Sequence, residues 1–259
     1  MLLPLWPNRH GSIIYFFLLI SFVTAGATGQ DSLQIKKKKS KRDFIITTRL
    51  HSTSHFPYSG SFINRHLNAD INLYYERNRT GAFLFKAQDL EDQHGLVNYF
   101  QPGLFKRFAV GQKLIFSFFG GYLFNQTVRF SDKDSDVWSA FNTSWVISDH
   151  FKVENTALFF NLTKSELNSQ WANRTVISAL FKDFKFDLYV WHNIVFKTNF
   201  QFTSAALAVN FPRINLSEKI KIQNSFMYQS YISDNKPSWA MRNGFLFTIA
   251  VPIQISSAG

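Results

Sequence analysis

Side chains able to do chemistry are few in this sequence, and their spacing argues against most of what they could do. A hydrolytic pair needs an imidazole within hydrogen-bond reach of a hydroxyl. His51 is followed two residues later by Thr53 rather than Ser, and His150 and His192 have no Ser at that spacing. Such partners need not be neighbours in sequence, so hydrolysis is kept as the weakest reading. Asp132, Asp134 and Asp136 alternate, as carboxylates converging on a hard cation do. An EF-hand loop beginning at Asp132 would need Gly at its sixth position and Glu at its twelfth, where Val137 and Thr143 stand. A solvated acidic loop is the better reading. The absence of cysteine removes disulfides, thiolate zinc sites and cysteine nucleophiles. No catalytic residue, metal site or cofactor is expected.

The six Asn-x-Ser/Thr triplets, at Asn78, Asn125, Asn142, Asn161, Asn173 and Asn215, read as chance matches. Several fall inside strand-like segments, where no glycosyltransferase reaches.

The elements that must carry these residues are legible from composition and period. The chain has 259 residues, 17% aromatic and only 17% charged, with a net charge of +11. So many aromatics bury too much apolar area for a disordered chain. A mean hydropathy of −0.11 argues against a bundle of membrane helices. Residues 1–27 read as a signal peptide: Ile13 to Val23 is an apolar centre of 11 residues, and Ala25-Gly26-Ala27 supplies small residues for cleavage. Residues 28–42 hold the basic run KKKKSKR at 36–42. No aromatics are interleaved with it, so it reads as a solvated tail rather than a nucleic-acid surface.

From residue 43 onward the apolar residues recur with period two, the period of strands. Leu67, Ala69, Ile71, Leu73 and Tyr75 share one face of their segment. Phe245, Phe247, Ile249 and Val251 do the same near the end of the chain. Twelve segments follow: 43–53, 66–77, 81–90, 96–108, 112–128, 136–148, 151–162, 171–182, 184–196, 199–211, 219–231 and 240–255. Most connections after even-numbered segments are tight, as at Asn78-Arg79-Thr80 and Lys182-Asp183. Those after odd-numbered ones are generally longer and polar, beginning with 54–65.

An even number of strands, with one rim of short turns and one of longer loops, predicts an all-β fold: a closed antiparallel up-and-down transmembrane barrel over 43–259. Closure is demanded because an open edge would leave unpaired backbone groups in hydrocarbon. Both termini then lie at the short-turn, periplasmic rim, and the longer loops face outside. Tyr75, Tyr122, Trp145 and Tyr228 suit an aromatic girdle. The competing fold is a soluble sandwich or lipocalin-like barrel, for which twelve similar strands are too many.

The opposite faces carry the charge. Arg49, Asp70, Glu76, Lys86, Lys185, Asp187, Lys221 and Arg242 are expected to line the lumen. Two functions stay open. One is a narrow channel for passive passage of small polar or anionic solutes. The other is an accessory barrel, its lumen filled by pairs such as Lys185–Asp187 and by Tyr74, Tyr189 and Trp191, that binds an envelope partner. Phe247→Arg should block assembly, and Thr248→Arg should be milder if that position faces a wet lumen.

Several stretches, VNYFQPGLFKRF (97–108), GGYLF (120–124), FSDKDSDVWSA (130–140), ENTALFF (154–160), FKFDLYVWHN (184–193), AVNFPRI (208–214) and MRNGFLFTIAVPIQ (241–254), carry a resemblance. The chain resembles outer-membrane β-barrel proteins of Bacteroidetes-type Gram-negative bacteria. The resemblance implies an outer-membrane location, contact with membrane lipid and lipopolysaccharide, and insertion by the barrel assembly machinery. It brings no known catalytic residues. Many such barrels end in an aromatic residue, whereas this chain ends Ser257-Ala258-Gly259.

Overall fold

The period-two alternation resolves into strands throughout. A computed structural model describes residues 42–57, 59–91, 97–125, 135–164, 169–217, 220–235 and 243–257. In chain order the strands are β1 (Arg42–His51), β2 (Ser54–Phe56), β3 (Ser61–Asn64), β4 (Asn68–Arg77), β5 (Thr80–Asp89), β6 (Asn98–Val110), β7 (Leu114–Asn125) and β8 (Asp136–Val146). They continue with β9 (Phe151–Phe160), β10 (Gln170–Phe181), β11 (Phe184–Val195), β12 (Phe200–Asn210), β13 (Ile214–Asn215), β14 (Lys221–Asp234) and β15 (Asn243–Ser257). Twelve of them form one antiparallel ring: β1, β4 to β12, β14 and β15. It closes where β1 pairs with β15, with Arg49 opposite Ala250 and His51 opposite Thr248. The remaining short strands are β13, which pairs with β14, and the hairpin β2–β3.

Turn chemistry accounts for the short rim. Between β4 and β5, Asn78 and Arg79 both adopt positive φ, 52° and 64°. That is the twist a two-residue hairpin requires. Arg42 pairs with Ser257 and Arg77, so both ends of the barrel sequence lie at this rim. At mid-wall, pairing between β6 and β7 is interrupted at Gln101-Pro102. Proline has no N–H to give to the ladder. Gly121 of β7 packs there so closely that a Cβ would collide with the Pro102 carbonyl oxygen.

The outer face is apolar, with Leu104, Phe118, Trp145, Leu207 and Phe245 all exposed. Tyr75 and Tyr228 are exposed on the same face, as a girdle requires. The inner face is not empty. Phe105, Phe119, Trp138, Leu158 and Phe160 form one buried cluster with Tyr74 and Phe83 packed against it. Phe85, Val97 and Tyr99 form a second. Phe62 of the β2–β3 hairpin joins Trp191, Met227 and Leu246 in a third.

Two expectations are corrected here. The 54–65 connection leaves from the predicted rim but does not stand outside as a free polar loop. It turns back into the barrel as a hairpin, because its apolar Phe62 finds the inward-facing Trp191. Lys86 faces outward. Its register partners are Ile71 and Phe100, while Phe83 and Phe85 fill the interior. The Lys86 ammonium donates to Asn98 Oδ1, three residues short of the end of β5. A long lysine stem can lie along apolar surface and bring its charge toward the rim.

Candidate functional site

The hairpin is held by its backbone. Arg174 and Trp191 Nε1 donate to the Pro57 carbonyl at 3.3 and 3.0 Å. Asn193 Nδ2 donates to the Ser59 carbonyl at 2.8 Å. Ser204 Oγ donates to the Gly60 carbonyl at 3.3 Å, and Gln229 Nε2 donates to the same oxygen. These donors come from β10, β11, β12 and β14, a run of the ring that reaches from two places beyond β1 round to β10, the strand opposite β4. The hairpin therefore crosses the lumen rather than lying on its own edge. Gly60 has φ +65°, and any Cβ there would sit 2.6 Å from Trp191 Cγ. Only glycine fits that contact.

The base of the hairpin is tied to the closing seam. His51 Nε2 lies 2.8 Å from Asp70 Oδ2, and its Nδ1 lies 2.8 Å from Thr248 Oγ1. Arg49 approaches the same Asp70 oxygen at 3.4 Å. The set links β1, β4 and β15. It has the connectivity of an acid–imidazole–hydroxyl relay, yet Thr248 is only 8% exposed. That enclosure suits an anchor, not a nucleophile that must meet substrate. Thr53, two residues after His51, donates to the Phe245 carbonyl at 3.2 Å. Thr248 also does not face the wet lumen that would have made it tolerant of arginine.

Toward the short-turn rim the inner wall carries charges of both signs in pairs. Arg107 meets Glu76 at 3.0 Å and lies over the Tyr74 and Phe105 rings. Lys152 meets Glu154 at 2.7 Å, and Lys185 meets Asp187 at 2.9 Å. A cavity of about 110 Å³ opens there between Glu76, Arg79, Arg107, Ala109 and Ile115.

Of the residues expected in the lumen, Arg49, Asp70, Glu76, Lys185 and Asp187 face inward and are paired. Lys221 begins β14 on the inward row of Gln223. Lys86 is on the outer face, and Arg242 lies outside the described residues. Arg107, Lys152, Glu154 and Arg174 were missed. For Lys152 and Glu154 the signal was present, since they alternate with Phe151 and Val153. It was masked because both faces of that segment turn apolar beyond Ala157. Asp132 and Asp134 also lie outside the described residues. The Asp136 carboxylate accepts from the backbone N–H of Thr163 and Lys164, each at 2.9 Å. It ties the start of β8 to the loop that follows β9. Among the described residues no group of three acidic, His or Cys side chains is placed to hold a metal ion.

His55 is the titratable group most affected by the hairpin's position. Its ring packs against Phe62 and the edge of Trp191, and its Nε2 lies 2.9 Å from Gln229 Oε1. Burial, reinforced by the nearby His51 and Arg174, pushes its pKa down to about 4, against an opposing pull from the Gln229 hydrogen bond. The docked ring is therefore neutral where a free ring titrates near 6.5. Between those two values an undocked hairpin takes up a proton that the docked one refuses. Docking should weaken as pH falls from about 6.5 to about 4, by up to about 3 kcal/mol, and gain nothing from this group above 6.5. Protease cleavage within the hairpin, followed between pH 7.5 and 4.5, should rise in the wild type and stay flat in His55→Gln. Equal pH profiles for the two would remove His55 from the account.

The chain matches no family model and no curated protein. Solved structures share its fold. The NanC porin aligns over 82% of this chain and 100% of its own, with a TM-score of 0.55 and 9% identity. An outer-membrane channel from Pseudomonas putida F1 aligns over 88% and 100%, with a TM-score of 0.51 and 9% identity. At such identities the likeness is one of fold.

Proposed function

We propose that the closed twelve-stranded wall with its apolar outer face, a porin-like barrel set among outer-membrane lipid and lipopolysaccharide, is a narrow channel for small polar or anionic solutes, held shut by the β2–β3 hairpin. The observation that carries this reading is the hairpin itself. It crosses the lumen on hydrogen bonds from side chains of four other strands. It belongs to none of the ring's ladders, so it can leave without opening the wall. The remaining interior is polar enough to carry water. Asn72 Oδ1, Gln101 Nε2, Asn142 Oδ1 and Ser144 Oγ are buried without a protein hydrogen-bond partner. Water ordinarily meets such groups. Departure of the hairpin removes the Pro57 carbonyl that Arg174 meets, and a guanidinium on the wall of a passage favours anions.

In this reading residues 1–27 direct export and are removed, and the basic segment to residue 42 lies in the periplasm. The assembly machinery would read the internal aromatic strand around Phe245 and Phe247. The test is replacement of residues 53–64 by a short Gly-Ser linker. Wild-type protein in a planar bilayer should be mostly silent, and the variant should conduct with a chloride-leaning reversal potential in a KCl gradient. A correctly assembled variant that stays silent would favour the accessory barrel. The aromatic cluster around Phe105, Phe119 and Trp138 is the observation on that side.

A further inference from the structure

Cations are placed differently on the two faces of the wall. On the inner face Arg107, Lys152 and Lys185 each meet a carboxylate. At the short-turn rim Arg77, Arg79, Lys106, Lys113 and Lys182 are exposed, and none of them is in an ion pair among the described residues. The exposed acids described at that rim are Asp149 and Asp183, in the β8–β9 and β10–β11 turns. The β4–β6 side therefore carries cations with no exposed acid beside them. Two of these cations point to lipid. Arg77 continues the outward row of Leu73 and Tyr75 on β4. Lys106 of β6 stands between outward Leu104 and Phe108, which are 69% and 47% exposed. Thr80, the first residue of β5, is the register partner of both Arg77 and Lys106. The Lys106 ammonium donates to Thr80 Oγ1 at 2.7 Å. Strands lie about 5 Å apart, so Arg77 and Lys106 are about 10 Å apart at the backbone, a span that two long side chains can close around one phosphate.

A lysine on the lipid face is costly unless its charge reaches the interface and a counter-charge there. The depth is right for headgroups, since Arg77 lies two residues beyond the girdle residue Tyr75. We propose that Arg77, Thr80 and Lys106 bind the phosphate of an anionic phospholipid, such as phosphatidylglycerol, in the leaflet that meets the short-turn rim. Two cations and a hydroxyl complement a phosphodiester of net negative charge. A zwitterionic headgroup brings its own ammonium, which the same two cations repel. A soluble polyanion could meet Lys113 or Lys182 in their turns, but Lys106 is flanked on its own face by Leu104 and Phe108 and is open to the membrane side. The inference rests on the membrane-spanning barrel and not on the channel, so a barrel that never conducts leaves it standing.

The test reconstitutes the purified protein into nanodiscs of equimolar phosphatidylglycerol and phosphatidylcholine and weighs it intact with the lipid it retains. The wild type should keep phosphatidylglycerol over phosphatidylcholine by about tenfold. Arg77→Gln with Lys106→Gln should bring that ratio to within about twofold of unity while the barrel keeps its heat-dependent gel shift. Lys113→Gln with Lys182→Gln removes the same charge from the turns of the rim and should leave the preference intact. Thr80→Val removes only the hydroxyl and should lower the ratio about threefold; it decides alone if the Arg77 and Lys106 variant does not fold. A wild-type ratio near unity, a preference that the Arg77 and Lys106 variant keeps, or equal loss in both double variants would overturn the proposal. So would binding to isolated peptidoglycan that depends on Arg77 and Lys106 with no preference between the lipids.

Discussion

Phe247→Arg is expected to leave almost no assembled barrel in the outer membrane. Phe247 faces outward on β15, stands opposite Phe226 in register and is 40% exposed. A guanidinium on the lipid face costs about 2–4 kcal/mol near the midplane and less toward the rims. β15 also closes the ring onto β1, so a late or failed β15 leaves two open edges in hydrocarbon. Thr248→Arg is expected to fail as well, for a different reason. That side chain is enclosed and bonded to His51, and an arginine there would displace the Arg49–Asp70–His51 set beneath the hairpin. Heat-dependent gel mobility of outer-membrane fractions would check both. A normally assembled Phe247→Arg would mean that β15 presents its other face to lipid.

Gly60→Val is expected to release the hairpin while sparing the barrel. Valine at φ +65° is strained by about 1–2 kcal/mol, and its Cβ would enter the Trp191 ring. A combined loss of about 3 kcal/mol raises the undocked population about a hundredfold. Conductance should then approach that of the hairpin-replaced protein, and the hairpin should become open to protease. Gly111→Val is the matched control. Gly111 has φ +64° in the β6–β7 turn, but nothing lies within 4 Å of its Cβ position. It carries the strain without the collision, and the channel should stay shut. If both variants conduct alike, backbone strain anywhere in the barrel suffices and the Trp191 contact is not what closes the lumen.

How far such residues could be read from the sequence depends on whether the signal was local. Period two is local: one step along a strand flips a side chain to the other face. It therefore placed Leu73, Tyr75, Phe247 and Ile249 outside and Asp70, Glu76 and Asp187 inside without knowledge of any neighbour. The loop alternation was local too, because Asn78-Arg79 and Lys182 mark their own turns. Which face of a two-sided strand points inward is not local. In GAFLFKAQD both faces can be buried, and only pairing with β4, where Tyr74 meets Phe83, turned Phe83 and Phe85 inward and Lys86 out. The fate of residues 54–65 was equally hidden. Nothing in a polar loop announces that its carbonyls will be met by Arg174, Asn193, Ser204 and Gln229, which lie more than a hundred residues away. Nor does the sequence set Asn155 of β9 diagonally beside Asn173 of β10, or His192 of β11 opposite Thr203 of β12. Strand register, set by closure of the whole ring, brings those side chains onto one wall, and only the tertiary structure contains it.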